Sequence, residues 1–184
     1  MWQQKYISMQ KQWTIRPSAS HEQIEELAQA INVSKPIANL LIQRGVTTFE
    51  EAKNFFRPNL NQLHDPFLMK DMALAVNRLE MAVNNQETIM VYGDYDVDGT
   101  TSVAMVYSFL RSKIRNLHYY IPDRYGEGYG VSFKGIDVAK ELGCTLIITL
   151  DCGIKAVNKV DYATQLGIDF IICDHHEPGE QLPA

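Results

Sequence analysis

The sequence predicts an α/β fold: a mostly parallel, Rossmann-like sheet flanked by helices and preceded by an N-terminal helical region. Two observations support this prediction. From residue 87 onward, short runs of β-forming residues alternate with helical stretches, which is the pattern of parallel strands joined by crossover helices. Three of these four runs are almost continuously apolar, as strands covered on both faces must be.

We assign residues 1–86 to the helical region because capping residues there precede apolar side chains at helical spacing. Three helices are expected to begin at these caps: Ser20 with Gln23, Ser34 with Pro36 following, and either Thr47 with Glu50 or Thr48 with Glu51. Residues 59–66 are predicted to form a loop, and a longer helix is expected over 71–84.

We assign residues 87–184 to the α/β domain. The predicted strands cover residues 88–92, 117–121, 145–149 and 168–172, and the helices between them cover 100–115, 132–142 and 155–166. Gly143 and Gly167 follow two of these helices, where a left-handed residue is favoured.

Acidic and imidazole side chains follow three of the predicted strands. In such sheets, ligands bind beyond the carboxyl ends of the strands. The residues expected at this edge are Asp94, Asp96, Asp98, Asp151, Asp174, His175 and His176. Carboxylates held this close repel one another unless a positive ion binds between them. Carboxylate oxygens with imidazole nitrogens favour Mn²⁺ or Mg²⁺, and a pair of such ions is a common arrangement for phosphoester hydrolysis.

Each of these residues also has an ordinary structural explanation. Asp94 alone could cap a helix or stabilise a turn, and a His-His pair alone is often only surface. The Asp-x-Asp-x-Asp-Gly run also resembles the start of an EF-hand calcium loop, but Met105 stands where that loop needs Glu. Only the coincidence of three strand ends favours the metal interpretation.

The overall composition limits the classes of function. The net charge of −5 argues against a simple basic coat for nucleic acid, although bound divalent ions would offset it. No apolar run reaches the ~18–20 residues that a membrane span needs. Three cysteines argue against a disulfide framework and for a reducing, cytoplasmic setting. Cys152 and Cys173 flank the acidic edge, and we expect them to be small packing residues there.

The runs 92–102, 151–154 and 174–176 resemble the first three motifs of the DHH phosphoesterase superfamily. The segments 38–45 and 121–130 are similar to the branch of single-strand-specific 5′→3′ exonucleases of bacterial DNA repair and recombination. The resemblance covers most of the chain from about Trp13.

The resemblance implies a two-metal site for Mn²⁺ or Mg²⁺. It makes Asp96 a ligand of one ion, Asp98 and His175 ligands of the other, and Asp151 the bridging carboxylate. It makes Asp94 a supporting residue. Asp174 and His176 are implied as catalytic residues, with His176 binding or protonating the phosphate.

The resemblance also implies a DNA-binding segment. Arg124 matches the position that holds the 5′-terminal phosphate, for which the planar guanidinium is suited. Gly128 and Gly130 would let backbone approach the strand, and Tyr129 would offer a ring to a terminal base. Without the resemblance, Arg124 could be a surface residue and the Gly-Tyr-Gly run a simple turn.

Family members continue with a fourth Asp motif, a DHH-associated domain and, in this branch, an OB-type domain. The sequence shows none of these, so we expect it to be a fragment. We expect this fragment to be weak or inactive on its own and to self-associate through an uncovered sheet edge.

The implied partners of the complete enzyme are single-stranded DNA with a 5′ end, a single-strand-binding protein and a helicase. Two alternatives stay open: a DHH phosphodiesterase acting on short oligonucleotides, cyclic dinucleotides or pyrophosphate, and a non-catalytic replication scaffold.

Overall fold

The structure, a computed structural model, describes residues 12–183, so residues 1–11 of the predicted helical region and Ala184 lie outside it. The chain divides into two compact units, Met1–Asp65 and Pro66–Ala184.

Within residues 12–65, the first unit contains three helices and one short 3-10 turn. They are α1 (His21–Ile31), α2 (Lys35–Ile42), α3 (Phe49–Phe56) and the turn Leu60–Gln62. Ser20 and Gln23 form the expected capping box on α1. At α3 the capping box uses Thr48 and Glu51, which decides between the two predicted starts. The unit's core consists of Leu27, Ala28, Ala38, Leu41, Val46 and Ala52.

The second unit holds the sheet. After a 3-10 turn at Pro66–Leu68, its elements are α4 (Met72–Asn84), β1 (Ile89–Gly93), α5 (Val97–Leu110), β2 (Leu117–Tyr120), α6 (Phe133–Glu141), β3 (Leu146–Leu150), α7 (Val157–Gln165) and β4 (Asp169–Cys173). The turn Leu60–Gln62 lies within the segment 59–66 that was predicted to be a loop, and the turn Pro66–Leu68 begins at its last residue; such three-residue turns carry little periodic signal.

The four strands are all parallel and lie in the order β2-β1-β3-β4, which confirms the predicted α/β architecture. The register aligns three strand ends: Gly93 pairs with Leu150, and Leu150 pairs with Cys173. The next residue of each strand is an aspartate, so Asp94, Asp151 and Asp174 follow neighbouring positions at one edge.

Alternate side chains of the strands enter two separate cores. On one face Met90, Tyr92 and Ile147 pack with residues of α6 and α7. On the other face Ile89 and Val91 pack with residues of α4 and α5. Burial on both faces accounts for the nearly continuous apolar sequence of β1 and β3.

Helix α4 belongs to the second unit, because its Ala82 is fully buried in the same core as β1. The compact units therefore divide after Asp65, earlier than the domain boundary at residue 86 inferred from sequence.

Helix α5 begins at Val97, three residues before its predicted start, because Asp96 caps it and its side chain accepts the N–H of Gly99. In the described part of the chain, no helix is both long and apolar enough to span a bilayer.

Candidate active site

The carboxylate of Asp94, directly after β1, is fully buried. Its Oδ1 accepts a 2.9 Å hydrogen bond from the backbone N–H of Gly130. Its Oδ2 has no hydrogen-bond partner among the described residues. A buried carboxylate oxygen is costly to leave unpaired, so this atom is an available acceptor for a donor or a cation.

Asp151, His175 and His176 form a cluster whose ligand atoms lie within 4.8 Å of one another. Oδ1 of Asp151 lies 2.9 Å from Nε2 of His175. Asp151 has a φ of 60°, a left-handed backbone conformation that aspartate tolerates better than most residues. The strained turn directly after β3 therefore carries the central carboxylate of the cluster.

Asp174 fixes His176. Its Oδ1 lies 2.7 Å from Nδ1 of His176, and its Oδ2 accepts the backbone N–H of Ile154 at 2.9 Å. The hydroxyl of Tyr129 lies 3.1 Å from Nε2 and 3.4 Å from Nδ1 of His176, and it donates to the carbonyl of Asp151 at 3.1 Å. The ring of His176 is therefore held at Nδ1 by Asp174 and is in contact with the hydroxyl of Tyr129.

Asp96 and Asp98 are placed differently. Within the described residues neither belongs to the cluster of Asp151 and the two histidines. Oδ1 of Asp96 accepts the N–H of Gly99 at 3.0 Å, so this carboxylate caps α5. Asp98 lies exposed in the first turn of α5.

Burial and neighbouring charge shift the pKa values at this edge in opposite directions. Burial raises the pKa of Asp151, and the negative charge of Asp96 adds to the effect despite the opposing contact with His175. Burial also opposes ionisation of Asp174, but the N–H of Ile154 and the contacts with His176 outweigh it and lower the pKa of Asp174. The hydrogen bond to Asp174 in turn raises the pKa of His176. The expected repulsion between carboxylates therefore helps to raise the pKa of Asp151, whereas hydrogen bonds outweigh the unfavourable effects at Asp174 and lower its pKa.

The segment between β2 and α6 brings Arg124 beside this edge. Its guanidinium lies over the ring of Tyr95, 5.3 Å from the ring centroid. Tyr95 in turn makes an edge-to-face contact with Tyr129. Gly128 and Gly130 have φ values of 82° and 79°, which other residues rarely adopt. The predicted DNA-binding residues thus lie in one segment, connected to the acidic edge through Tyr95 and Tyr129.

Sequence reasoning gave no role to Tyr95 or Glu127. Tyr95 stands between two of the acidic residues and contacts Arg124, and Glu127 is buried in the segment that carries Arg124 and Tyr129. A carboxylate between two glycines was the one sequence signal for Glu127, and a lone tyrosine between aspartates gives no signal of a ring contact.

Comparisons with known proteins find similar sequences. Residues 88–184 match the model of the DHH family, N-terminal domain. The single-stranded-DNA-specific exonuclease RecJ of Bacillus subtilis is 40% identical over 178 residues, which cover 96% of this chain and 22% of that protein.

Two solved RecJ structures are also similar to this chain. RecJ of Thermus thermophilus in complex with Mn²⁺ superposes with a TM-score of 0.65 at 28% identity, covering 90% of this chain and 22% of that one. A structure of exonuclease RecJ bound to manganese gives a TM-score of 0.59 at 34% identity, covering 63% of this chain and 30% of that one.

The chain thus spans between about a fifth and a third of the length of these RecJ proteins. The matched family region contains the aligned strand ends, the cluster of Asp151 with the two histidines, and the segment of Arg124. The chain belongs to the DHH family.

Proposed function

We propose that this chain is the N-terminal catalytic part of a metal-dependent exonuclease that hydrolyses phosphodiester bonds of single-stranded DNA from the 5′ end. The observation that supports this most is the cluster of Asp151, His175 and His176 at the carboxyl edge of the sheet, beside the segment of Arg124. The RecJ relatives, named as single-stranded-DNA-specific exonucleases, support the substrate. A role in DNA repair and recombination is part of the proposal.

The residues at the edge fit a divalent cation of the Mn²⁺ or Mg²⁺ type. The donors are carboxylate oxygens and imidazole nitrogens, and the buried Oδ2 of Asp94 has no hydrogen-bond partner in the described chain. Asp151 would be a ligand shared by two ions, Asp96 would hold one of them, and Asp98 with His175 would hold the other. Such ions would supply positive charge that lowers the pKa of a nearby water and offsets the charge of the phosphoryl group.

The remaining residues orient the substrate and move a proton. Asp174 holds His176 through Nδ1, so that Nε2 of His176 can bind or protonate a phosphate oxygen. Asp94 acts as a supporting residue by holding the backbone of Gly130. Arg124 is assigned to the 5′-terminal phosphate. The ring of Tyr129, about half exposed, offers a face to the terminal base, and Gly128 and Gly130 leave room for the strand.

The partners named from the resemblance stay predictions. They are a single-strand-binding protein, a helicase and self-association through an uncovered sheet edge. A cytoplasmic setting also stays a prediction.

A substrate panel tests the proposed function. The full-length gene product with Mn²⁺ is given 5′-labelled single-stranded DNA, the matching duplex, di- and trinucleotides, a cyclic dinucleotide and pyrophosphate. Preferential release of mononucleotides from the single strand supports the proposal. Preference for the short substrates would instead establish the small-substrate alternative, and absence of any hydrolysis would favour the scaffold.

A further inference from the structure

Glu127 is a buried carboxylate in the segment 123–130, which we call the 5′-end loop. Its side chain is only 4% exposed. It accepts hydrogen bonds from the hydroxyls of Tyr120 and Ser132 and from the backbone N–H of Asp123. Lys134 Nζ lies 3.6 Å from Oε1 of Glu127. Both carboxylate oxygens are therefore satisfied inside the protein.

The loop is closed through Asp123 and Glu127 together. Oδ1 of Asp123 accepts the N–H groups of Tyr125 and Gly126, and its carbonyl accepts the N–H of Glu127. Glu127 returns a hydrogen bond to the N–H of Asp123. This reciprocal arrangement fixes the turn that carries Arg124, in the way a capping box fixes a helix start.

The same network reaches the acidic edge. Ser132, which donates to Glu127, donates its backbone N–H to the hydroxyl of Tyr92. That hydroxyl donates to the carbonyl of Gly130 at 3.1 Å, and the N–H of Gly130 donates to Asp94. Both ends of the 5′-end loop are thus held, one by Glu127 directly and the other through Ser132 and Tyr92.

Glu127 does not point to a bound ion or a substrate, because its oxygens are occupied and its side chain is covered. A buried carboxylate adds negative charge close to an edge that is already acidic, and an apolar residue would avoid that cost. What the carboxylate provides is a set of acceptors for donors from β2, from the loop itself and from the start of α6.

We propose that Glu127 is a positioning residue for recognition of the 5′ end: it holds the 5′-end loop so that Arg124 and Tyr129 stand beside the cluster of Asp151, His175 and His176. The proposal rests on the proposed function for its substrate, but the loop geometry can be tested without any substrate.

The first measurement is amide hydrogen exchange, in the full-length gene product, of the N–H groups of Gly126, Gly128 and Gly130. Glu127→Ala is expected to speed their exchange by ~10-fold or more, because the turn loses the acceptors that close it. Glu127→Gln keeps one oxygen acceptor and should restore most of the protection. Glu87→Ala is the matched control, since Glu87 is another largely covered carboxylate, bound to Arg78 and Thr145 at the amino end of β1.

The second measurement is hydrolysis of single-stranded DNA with a 5′-phosphate or a 5′-hydroxyl. Glu127→Ala should raise KM for the phosphorylated strand by ~10-fold or more and KM for the hydroxyl strand by a clearly smaller factor, because both strands lose the contact with Tyr129 but only the phosphorylated strand loses the charge-assisted contact with Arg124. Glu87→Ala should leave the ratio of the two KM values at the wild-type level.

The outcomes separate the two claims. Unchanged exchange in Glu127→Ala, or equal losses on both strands, would overturn the positioning role of Glu127. A wild-type protein that hydrolyses neither strand would overturn the proposed function, while the exchange measurement would still decide whether Glu127 holds the loop. If Glu127→Ala does not fold, Tyr120→Phe removes one donor to Glu127 and should speed exchange in the same amides; wild-type exchange in that variant would also overturn the proposal.

Discussion

The backbone N–H of Gly130 donates a 2.9 Å hydrogen bond to Oδ1 of Asp94, a fully buried carboxylate thirty-six residues earlier in the chain. This bond joins the end of the 5′-end loop to the first acidic motif. The acidic edge and the loop that carries Arg124 are therefore joined directly, and a change in the backbone of either one should alter the structure of the other.

Gly99→Ala tests the tight packing of the first motif. A methyl group at Gly99 would lie 2.4 Å from the carbonyl oxygen and 2.6 Å from the nitrogen of Asp94. Alanine in a helix normally stabilises by ~1 kcal/mol relative to glycine, but here we expect a loss of ~1–3 kcal/mol because backbone must move. Urea unfolding measures the change. Gly179→Ala, where the nearest atom is 3.5 Å away, should lie close to wild type; similar values for both variants would contradict the packing argument.

Tyr129→Phe tests the hydroxyl that links His176 with the carbonyl of Asp151. Burial, with the negative charges of Asp94, Asp151 and Asp174, raises the pKa of Tyr129 to about 12, so its hydroxyl stays a donor at neutral pH. Removing it should lower kcat by roughly 10-fold, because His176 loses one of its two positioning contacts.

Tyr125→Phe in the same loop is the control for Tyr129→Phe. The side chain of Tyr125 is 95% exposed, so its variant should keep wild-type kcat. Loss of activity in both variants would show that the assay reports general disturbance of the loop.

Arg124→Ala tests recognition of the 5′-phosphate. The guanidinium is oriented by the ring of Tyr95, and its loss should weaken binding of 5′-phosphorylated single strands by ~10- to 100-fold while hardly affecting 5′-hydroxyl strands. Fluorescence anisotropy with the two strands measures the difference. Arg111→Ala, at the far end of α5, removes the same charge and should weaken both strands equally and slightly. A uniform loss in Arg124→Ala would make it a general phosphate contact.

Glu127 should also make the free energy of unfolding depend on pH in the acid range. Burial opposes its ionisation, but hydrogen bonds from the N–H of Asp123 and the hydroxyls of Ser132 and Tyr120 outweigh this and lower the pKa of Glu127 from its ordinary 4.5. The contribution of Glu127 to the free energy of unfolding is therefore fully present above its ordinary pKa and is lost as the pH falls through the lower pKa of the folded state. Urea unfolding from about pH 7 to about pH 3 should show that the free energy of unfolding falls more steeply with pH for wild type than for Glu127→Gln. The same pH dependence in both proteins would contradict a lowered pKa of Glu127.

Much of the fold could be predicted from local patterns. The apolar runs located β1 and β3 because both faces of these strands are covered, and the convergence of acidic residues followed from the parallel order of the strands. The cap of α3 remained ambiguous in sequence because two Thr-x-x-Glu pairs overlap, and only the folded backbone selects Thr48 with Glu51.

The rest of the site depends on contacts between distant segments. No sequence pattern indicates that Tyr95 lies under Arg124, or that Glu127 is covered by β2 and α6. Asp96 also combines two roles that sequence alone does not separate. Its spacing suits a metal ligand, but its side chain accepts a backbone N–H at the start of α5. Such competition between local capping and a shared site is decided by tertiary structure.

The central claim is that the edge formed by Asp151, His175 and His176 hydrolyses single-stranded DNA with a divalent metal. The most direct measurement is Mn²⁺-dependent release of mononucleotides from a 5′-phosphorylated single strand by the full-length gene product, its Asp151→Asn variant and an Asp169→Asn control. Asp169 bonds to Arg78 at the opposite end of the sheet. We expect Asp151→Asn to lose at least ~100-fold in rate, since asparagine keeps the shape but not the charge, and Asp169→Asn to stay near wild type. Wild-type rates in Asp151→Asn would contradict the account.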